Sequence, residues 1–194
     1  MPARLPERGV FMTAVCVFCG VGPGHGDDYL EAARGLGRLL AERNLTLIYG
    51  GGSRGLAGAL ANAALRAGGR VVGVMPRQHW DAEAGHRGLS DLFLVGSDQE
   101  RLAKMIDLAD GFLTLPGGVE TLEQVFTLWR WRQTGRHAKP MAILDVKGLW
   151  SGLTTVLEGL VRESFVKPAE RAMLRVSSDA GSLLEVLAAG LAVH

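Results

Sequence analysis

Short apolar runs alternate with longer amphipathic segments along almost the whole chain. The apolar runs predict strands near residues 13–19, 46–50, 70–75, 92–95, 111–115 and 140–144, with a weaker one near 173–176. The segments between them predict helices near residues 27–43, 54–67, 98–108, 121–133, 149–163 and 179–190. Strands that alternate with helices are typical of a parallel sheet covered by helices on both faces. The pattern therefore predicts an α/β fold of three layers.

The length and charge of the chain indicate one ordinary globular domain. A chain of 194 residues supports a single buried core, which we expect residues 13–194 to form. Residues 1–12 lack a long apolar segment and are expected to be a flexible extension, not a signal peptide. The net charge of +1 gives no reason to expect nucleic acid, and no apolar run has the length of a membrane span. We therefore expect a cytoplasmic protein that binds neither.

The two cysteines, Cys16 and Cys19, lie in the first predicted strand. Side chains three positions apart in a strand point to opposite faces, so the two thiols are not expected to bind one metal ion. No second pair of Cys or His completes a zinc site. We expect no metal, and we interpret both residues as buried thiols in a reducing cytoplasm.

A glycine-rich turn joins a predicted strand to a predicted helix at Pro116-Gly117-Gly118. Glycines at such a turn let backbone N–H groups approach a ligand, and the helix start behind them adds unpaired donors and a positive dipole end. Read alone, the motif is better explained as a simple tight turn. Together with the next motif, it predicts a site for an anion such as phosphate.

A second glycine-rich turn, residues 50–58, follows the strand at residues 46–50. Gly50, Gly52 and Gly55 fit the spacing of a dinucleotide-binding turn. The turn follows the second predicted strand and not the first, and the next strand ends in Pro76-Arg77 with no acidic residue to bind a ribose. These features predict a phosphate-binding turn without NAD.

Several short motifs occur in one order and spacing that resemble the LONELY GUY family of cytokinin riboside 5′-monophosphate phosphoribohydrolases, often labelled lysine decarboxylases. The motifs are Cys19-Gly20, residues 50–58, Val72-Gly73-Val74-Met75-Pro76, Glu100-Arg101, Pro116-Gly117-Gly118, the segment from Trp131 to Pro140, and Lys147-Gly148-Leu149-Trp150. The resemblance covers residues 14–187. It implies a Rossmann-like fold, a homodimer, and hydrolysis of the N-glycosidic bond of AMP or an N6-substituted AMP to free base and ribose 5-phosphate. It implies no cofactor.

The resemblance also assigns roles to individual residues. Arg101 stands at the position of the family's catalytic arginine. The alternative is a purely structural role in a surface salt bridge, for instance with Glu100. Glu83 stands at a position that contacts substrate, and His86 follows it. The substrate-binding set is Glu83, Arg101, Gly117, Gly118, Val119, Glu120 and Thr121. The phosphate-binding set is Gly51, Gly52, Ser53, Gly117, Gly118 and Thr121.

Two substitutions change the family's catalytic motif, Pro-Gly-Gly-x-Gly-Thr-x-x-Glu. Its fifth position is Glu120 instead of Gly, and its ninth, the catalytic carboxylate, is Gln124. An amide neither accepts a proton as a base nor balances a developing cation, so turnover is expected to fall roughly a hundredfold without compensation. Our hypothesis is that Glu120 and Gln124 form a compensating pair.

Three alternatives remain open for this motif. Glu123 or Glu120 supplies the missing carboxylate, although Glu123 and Gln124 differ by about 100° in direction on a helix. Otherwise the protein binds a nucleotide or phosphorylated cofactor without hydrolysis, as a carrier or sensor similar to molybdenum-cofactor carriers. Third, Thr121 and Gln124 form a capping box at the helix start.

Three further features have a polar, aromatic or basic composition: residues 76–91, the tryptophans of the helix after Pro116-Gly117-Gly118, and the basic residues near its end. Residues 76–91 are polar and aperiodic, which is typical of a functional loop. Trp129 and Trp131 lie at helical spacing and are expected to pack in the core or at a dimer seam. The basic residues Arg130, Arg132, Arg136 and Lys139 are expected to form a solvated face.

Overall fold

The computed structural model describes residues 12–82 and 85–191, apart from the side chains of residues 81 and 82. Within this part of the chain, seven strands form one parallel sheet with the order β4-β3-β2-β1-β5-β6-β7. The strands are β1 (Ala14–Phe18), β2 (Thr46–Tyr49), β3 (Val71–Pro76), β4 (Asp91–Val95), β5 (Gly111–Thr114), β6 (Met141–Leu144) and β7 (Leu174–Ser177). Each predicted strand, including the weaker last one, is confirmed.

Helices connect the strands and cover both faces of the sheet. They are α1 (Asp28–Glu42), α2 (Gly55–Arg66), α3 (Arg77–Ala82), α4 (Asp98–Leu108), α5 (Val119–Gln133), α6 (Ser151–Arg162), α7 (Pro168–Arg171) and α8 (Ala180–Leu191). All six predicted helices are present, and the predicted three-layer, Rossmann-like α/β class is confirmed.

The sequence missed two short helices. The segment 76–91 is not loop throughout, because residues 77–82 form α3. Six residues are too few to show a helical period, so the pattern gave no signal. The helix α7 has only four residues, but it begins with proline at its first turn, and the Glu170 carboxylate accepts a hydrogen bond from the Lys167 backbone N–H at 2.9 Å. That start signal was present in the sequence.

The core lies in two apolar layers, one on each face of the sheet. Val15 and Val17 of β1 point into the layer that α1, α2 and α8 cover. Cys16 and Phe18 point into the opposite layer, under α4, α5 and α6. Burial on both faces is typical of parallel strands and explains their continuous apolar runs. Cys19 packs against the first layer, so the two cysteines lie on opposite faces, as predicted. Both are free thiols, but only Cys16 is fully buried, whereas Cys19, beyond the end of β1, is partly exposed.

The strand order reverses between β1 and β5, which are neighbours in the sheet. The side chain of Asp110 joins the amino ends of these two strands. Its Oδ2 accepts hydrogen bonds from Thr13 N at 2.7 Å, Thr13 Oγ1 at 2.8 Å and Ala14 N at 2.9 Å. A reversal of this kind opens a crevice at the carboxyl ends of the strands, where open α/β sheets bind ligands.

Residues 1–11 of the predicted extension lie outside the described residues, and Met12 packs partly buried against the first apolar layer. Among the helices that the structure describes, none has the length and apolar content needed to cross a bilayer.

Candidate active site

A cavity of about 560 Å³ opens at the carboxyl edge of the sheet, beside the strand-order reversal. Its walls come from the ends of β1, β2 and β3 and from one face each of α4 and α5. The lining residues include Phe18, Cys19, Tyr49, Gly50, Gly52, Met75, His79, Arg101, Leu102, Glu120, Glu123, Gln124, Thr127 and Trp131. The cavity therefore combines an apolar floor with a few polar groups, as small-molecule sites do.

Arg101, on the first turns of α4, is fixed inside this cavity. Its Nε donates to the carbonyl oxygen of Val74 at 3.2 Å, and its side chain is 18% exposed. The guanidinium also lies against Gly50, where a Cβ would come within 2.2 Å of Arg101 Nη2. A residue larger than glycine at position 50 would therefore displace the arginine. The strand end and the glycine turn together set the position of this cation.

Arg101 forms its salt bridge with Glu120, and not with Glu100 as the structural alternative suggested. Arg101 Nη1 donates to Glu120 Oε1 at 2.9 Å and lies 4.0 Å from Asp98 Oδ1. The Glu100 carboxylate instead accepts a hydrogen bond from the Gly96 N–H at 2.7 Å, at the start of α4. Arg101 therefore faces the cavity and bridges α4 to α5.

Glu120 and Gln124 interact directly. Gln124 Nε2 donates to Glu120 Oε1 at 3.1 Å, as their spacing of one helical turn permits. Arg101, Glu120 and Gln124 therefore form a continuous chain of polar contacts along the cavity wall. Glu123 lines the same cavity with an exposed side chain.

The predicted capping box of Thr121 and Gln124 is wrong. The helix α5 begins at Val119 with Gly118 as its N-cap, two residues earlier than predicted, so Thr121 lies inside the helix. Thr121 is 2% exposed, and a Cβ on Gly117 would come within 2.1 Å of its Oγ1. The start of the helix therefore keeps its unpaired backbone N–H groups, since a glycine N-cap brings no side chain.

The first glycine-rich turn is shaped by close backbone approach. Gly51 and Gly55 have φ values of +82° and +54°, which favour glycine. A Cβ on Gly55 would come within 2.0 Å of the Val21 carbonyl oxygen. The Tyr49 hydroxyl donates to the Gly52 carbonyl oxygen at 3.0 Å, and burial raises the pKa of Tyr49, so the hydroxyl keeps its proton.

The second turn packs against the same loop as the first. The Gly20 N–H donates to the Pro116 carbonyl oxygen at 3.0 Å, and Gly117 approaches Gly20 closely. The loop of residues 20–22 therefore contacts both turns, and Val21 lines the cavity between them. The helix starts of α2 and α5 both follow these turns.

The segment 85–88 is anchored to the first turn by His86. The His86 N–H donates to the Gly51 carbonyl oxygen at 2.9 Å, and the Gly88 N–H donates to His86 Nδ1 at 3.1 Å. Because Nδ1 accepts, Nε2 carries the proton and donates to Asn62 Oδ1 at 3.1 Å. His86 therefore fixes this segment on α2. The neighbouring Glu83 lies outside the described residues, so its role stays a prediction.

Apart from Glu83, the residues predicted for the site fall into two groups. Gly52, Arg101, Glu120, Glu123 and Gln124 line the cavity. The others lie in the two turns beside it: Gly51, Ser53, Gly117, Gly118, Val119 and Thr121. Among these Val119 is 84% exposed. The functional roles assigned to all of them remain predictions.

The sequence analysis missed much of the cavity wall. On α5 the lining positions are 120, 123, 124, 127 and 131, and on α4 they include 98, 101, 102 and 105. Both sets follow the helical period. Once Arg101 and Glu120 are assigned to the site, this period predicts the other lining positions, because residues three or four apart share a helix face. Tyr49, Met75 and Pro76 line the cavity at strand ends, where parallel sheets place ligand contacts.

The structure confirms that the two tryptophans pack against the core and corrects the prediction for the basic residues. Trp129 packs as predicted, with Nε1 donating to the Glu170 carbonyl oxygen at 2.9 Å. Trp131 also packs, partly buried, against the apolar layer under α4, α5 and α6, and it lines the cavity as well. The basic residues are not a uniformly solvated face. Arg132 Nη1 donates to the Met173 carbonyl oxygen at 3.0 Å, and Lys139 Nζ to that of Ile106 at 2.6 Å. These two cations therefore stabilise the fold.

The thiol of Cys19 lies in the cavity wall beside Arg101. Burial raises the pKa of Cys19 to about 12, although the nearby Arg101 acts in the opposite direction. The side chain is therefore a neutral thiol at physiological pH and not a thiolate nucleophile. The polar chemistry of the cavity rests on Arg101 and the carboxylates of α5.

The structure is that of a Rossmann-like α/β protein with a cavity at the switch point of its parallel sheet, where proteins of this class bind ligands. Residues 57–187 match the family model described as "Possible lysine decarboxylase". The chain belongs to this family, the LONELY GUY family, and the predicted resemblance is confirmed.

Curated relatives cover most of the chain. A cytokinin riboside 5′-monophosphate phosphoribohydrolase of Rhodococcoides fascians is 42% identical over 167 residues, which are 86% of this chain and 84% of the relative. A probable enzyme of the same name from Oryza sativa subsp. japonica is 40% identical over 89% of this chain and 76% of its own. One from Arabidopsis thaliana is 38% identical, over 90% and 77%.

Solved structures with the same fold are more distant in sequence. The molybdenum cofactor binding protein of Rippkaea orientalis matches with a TM-score of 0.69 and 19% identity, over 91% of this chain and 96% of that one. The molybdenum cofactor carrier protein of Chlamydomonas reinhardtii matches with a TM-score of 0.68 and 17% identity, over 93% and 99%. At this identity the likeness shows the fold alone.

Proposed function

We propose that the protein hydrolyses the N-glycosidic bond of AMP or an N6-substituted AMP, which yields the free base and ribose 5-phosphate. The observation that carries this proposal is Arg101, held over Gly50 and bonded to a carboxylate inside the cavity. The names of relatives that are 38–42% identical over most of the chain support the same reaction.

The two glycine-rich turns are proposed to bind the 5′-phosphate. The turn of Gly51, Gly52 and Ser53 leads into α2, and the turn of Gly117 and Gly118 leads into α5. Neither helix has a side-chain cap, so both starts offer backbone N–H donors and a positive dipole end to an anion. Loop 20–22 contacts both turns, which places the two helix starts at one edge of the sheet.

The ribose and the base are proposed to occupy the rest of the cavity. Its volume of about 560 Å³ lies within the roughly 300–1,000 Å³ that is typical of ligand sites. Met75, Leu102 and Trp131 offer apolar and aromatic surface for a purine and an N6 substituent. Arg101 supplies a guanidinium cation to the same cavity.

The chemistry needs neither a metal nor an organic cofactor. Loss of the base passes through an oxocarbenium-like state, which a nearby carboxylate stabilises while it orients water. Decarboxylation of lysine is not supported, because a pyridoxal phosphate enzyme requires a Schiff-base lysine. The described residues that line the cavity include no lysine.

A homodimer in the cytoplasm is the proposed working form. Val119 and Phe126 lie two turns apart on α5 and are 84% and 39% exposed, which supports an apolar contact between two copies. The free thiols Cys16 and Cys19 fit a reducing compartment. Size-exclusion chromatography with light scattering tests the dimer directly.

The function is tested by incubating the purified protein with AMP and with isopentenyladenosine monophosphate, followed by chromatography of the released base. We expect release by the wild type and a loss of roughly a thousandfold in Arg101→Ala. Arg38→Ala removes an exposed arginine from α1 and is the matched control, with wild-type activity expected. Absence of base in all three samples would contradict the proposal.

A second candidate is a non-hydrolytic carrier or sensor of a nucleotide or phosphorylated cofactor. It is favoured by Gln124, whose amide stands where the family motif has a carboxylate. Calorimetry distinguishes the two, since this candidate predicts nucleotide binding without release of base.

A further inference from the structure

The proposed hydrolysis requires a carboxylate beside the ribose, and Gln124 does not supply one. Two glutamates of α5, Glu120 and Glu123, line the same cavity. We infer, on the basis of the proposed function, that Glu120 is the catalytic carboxylate and that Gln124 holds it in place. The functional carboxylate thereby sits one helical turn closer to the start of α5 than the family motif has it.

The contacts of Glu120 fix its position. Its Oε1 accepts from Arg101 Nη1 at 2.9 Å and from Gln124 Nε2 at 3.1 Å. Arg101 is itself held by the Val74 carbonyl oxygen and by the close approach of Gly50. A carboxylate anchored through a fixed arginine is preorganised, which is what electrostatic stabilisation of a transition state requires.

The second carboxylate oxygen of Glu120, Oε2, is available to a substrate. Both hydrogen bonds involve Oε1, and among the described residues Oε2 has no hydrogen-bond partner. The side chain is 56% exposed, so water and ligand reach it. One oxygen therefore positions the carboxylate, and the other remains to contact the reacting water or the ribose.

Glu123 lacks this arrangement. It is exposed, and no hydrogen bond or ion pair holds its carboxylate among the residues that the structure describes. It is also one position away from Gln124, which turns it by about 100° around the helix axis. Gln124, in contrast, complements Glu120, because an amide donates to a carboxylate where a second carboxylate would repel it.

In the proposed hydrolysis Glu120 acts as the base that takes a proton from the attacking water. The water oxygen bonds to C1′ of the ribose as the bond from C1′ to the base nitrogen breaks, and the electron pair of that bond leaves with the base. One proton of the water passes to Glu120, and the departing base nitrogen takes up a proton from solvent. Glu120 then returns its proton to solvent, so the net reaction consumes one water.

The test compares Glu120→Gln, Glu123→Gln and the wild type by base release from AMP and isopentenyladenosine monophosphate. We expect Glu120→Gln to lower kcat by about a hundredfold with little change in KM or in nucleotide affinity by calorimetry. Glu123→Gln is expected to lose less than about fivefold. Glu163→Gln, an exposed residue just after α6, controls for the same chemical change at a remote site.

Chemical rescue separates catalysis from a structural role. In Glu120→Ala, added formate supplies a free carboxylate and is expected to raise turnover roughly tenfold, whereas it leaves Glu123→Ala unchanged. Thermal unfolding of each variant shows whether it is folded.

Three results would overturn the inference. Base release by Glu120→Gln within threefold of wild type would leave the hydrolase in place and remove Glu120 from its mechanism. Loss confined to Glu123→Gln would transfer the role to Glu123. Faster turnover and tighter binding by Glu120→Gln would show that the ion pair with Arg101 obstructs the site. A wild type that releases no base overturns the proposed function itself, and the inference with it.

Discussion

The turn after β2 and the turn after β5 lie on either side of loop 20–22, but they present different groups to the cavity. The first, residues 50–58, contributes the backbone of Gly50 and Gly52 and makes room for Arg101. The second, residues 116–124, contributes the side chains of Glu120, Glu123 and Gln124 from the helix behind it.

The first turn therefore determines the shape of the cavity beside Arg101, and the helix after the second turn supplies its carboxylates. In the first turn Gly55 lies against the backbone of Val21, which cannot move aside for a side chain, whereas Gly50 lies against the Arg101 side chain. In the second turn Glu120, Glu123 and Gln124 lie on the cavity side of α5, outside the core, so they can be exchanged without disturbing it. Substitutions in the first turn should therefore affect stability or the placement of Arg101, and those in the second should affect chemistry.

The largest effect is expected from Gly55→Ala. The new Cβ would meet the Val21 carbonyl oxygen at 2.0 Å, and the residue would hold a φ of +54°. Overpacking and backbone strain together predict a loss of about 3 kcal/mol in the free energy of unfolding. Urea denaturation measures it. Gly118→Ala in the second turn meets nothing within 4 Å and should cost about 1 kcal/mol or less. Equal losses in both would contradict the division.

Gly50→Ala should lower turnover more than stability. The Cβ would meet Arg101 Nη2 at 2.2 Å, and the end of a flexible side chain yields more easily than backbone does. The guanidinium would leave the position that Val74 and Gly50 define, with a loss of roughly a hundredfold in kcat/KM. Kinetics and thermal unfolding are measured together. Gly35→Ala, in open space on α1, is the control and should keep its activity.

Gln124→Glu tests the side chains of the second turn. It would place a second carboxylate where the Gln124 amide now donates to Glu120, so the two would compete for the single Arg101. We expect kcat to decrease about tenfold and the anionic nucleotide to bind more weakly, with unchanged stability. Calorimetry and base release measure the two quantities. If neither quantity moves, Glu120 and Gln124 are not a functional pair.

The smallest effect is expected from Val21→Ser in the loop between the turns. Val21 is 66% exposed and lines the cavity, so its removal costs the core little. A hydroxyl there offers a donor to the phosphate, and nucleotide affinity should rise about threefold. Val156→Ser, exposed on α6, is the matched control without an expected effect on affinity. Weaker binding by Val21→Ser would place the phosphate elsewhere.

Sequence patterns predicted the fold far better than they predicted the cavity wall. The strands were evident because parallel strands are buried on both faces, as Val15 and Cys16 in adjacent positions of β1 illustrate. Arg101 and Glu120 were found through motifs. Their mutual ion pair was not, because a contact between helices depends on how α4 and α5 pack on the sheet. The false capping box shows the same limit, since Thr121 and Gln124 have the right spacing at the wrong place in the helix.

The reversal of strand order between β1 and β5 has a consequence for the order of folding. Thr13 and Asp110, which join the two strands, are 97 positions apart in the chain. Pairing across such a distance closes a long loop, so it forms late compared with the local contacts of α1 and α2. The crevice exists only once this pairing is complete. Nucleotide added during refolding should therefore leave the early kinetic phases unchanged and slow only the unfolding of the finished protein.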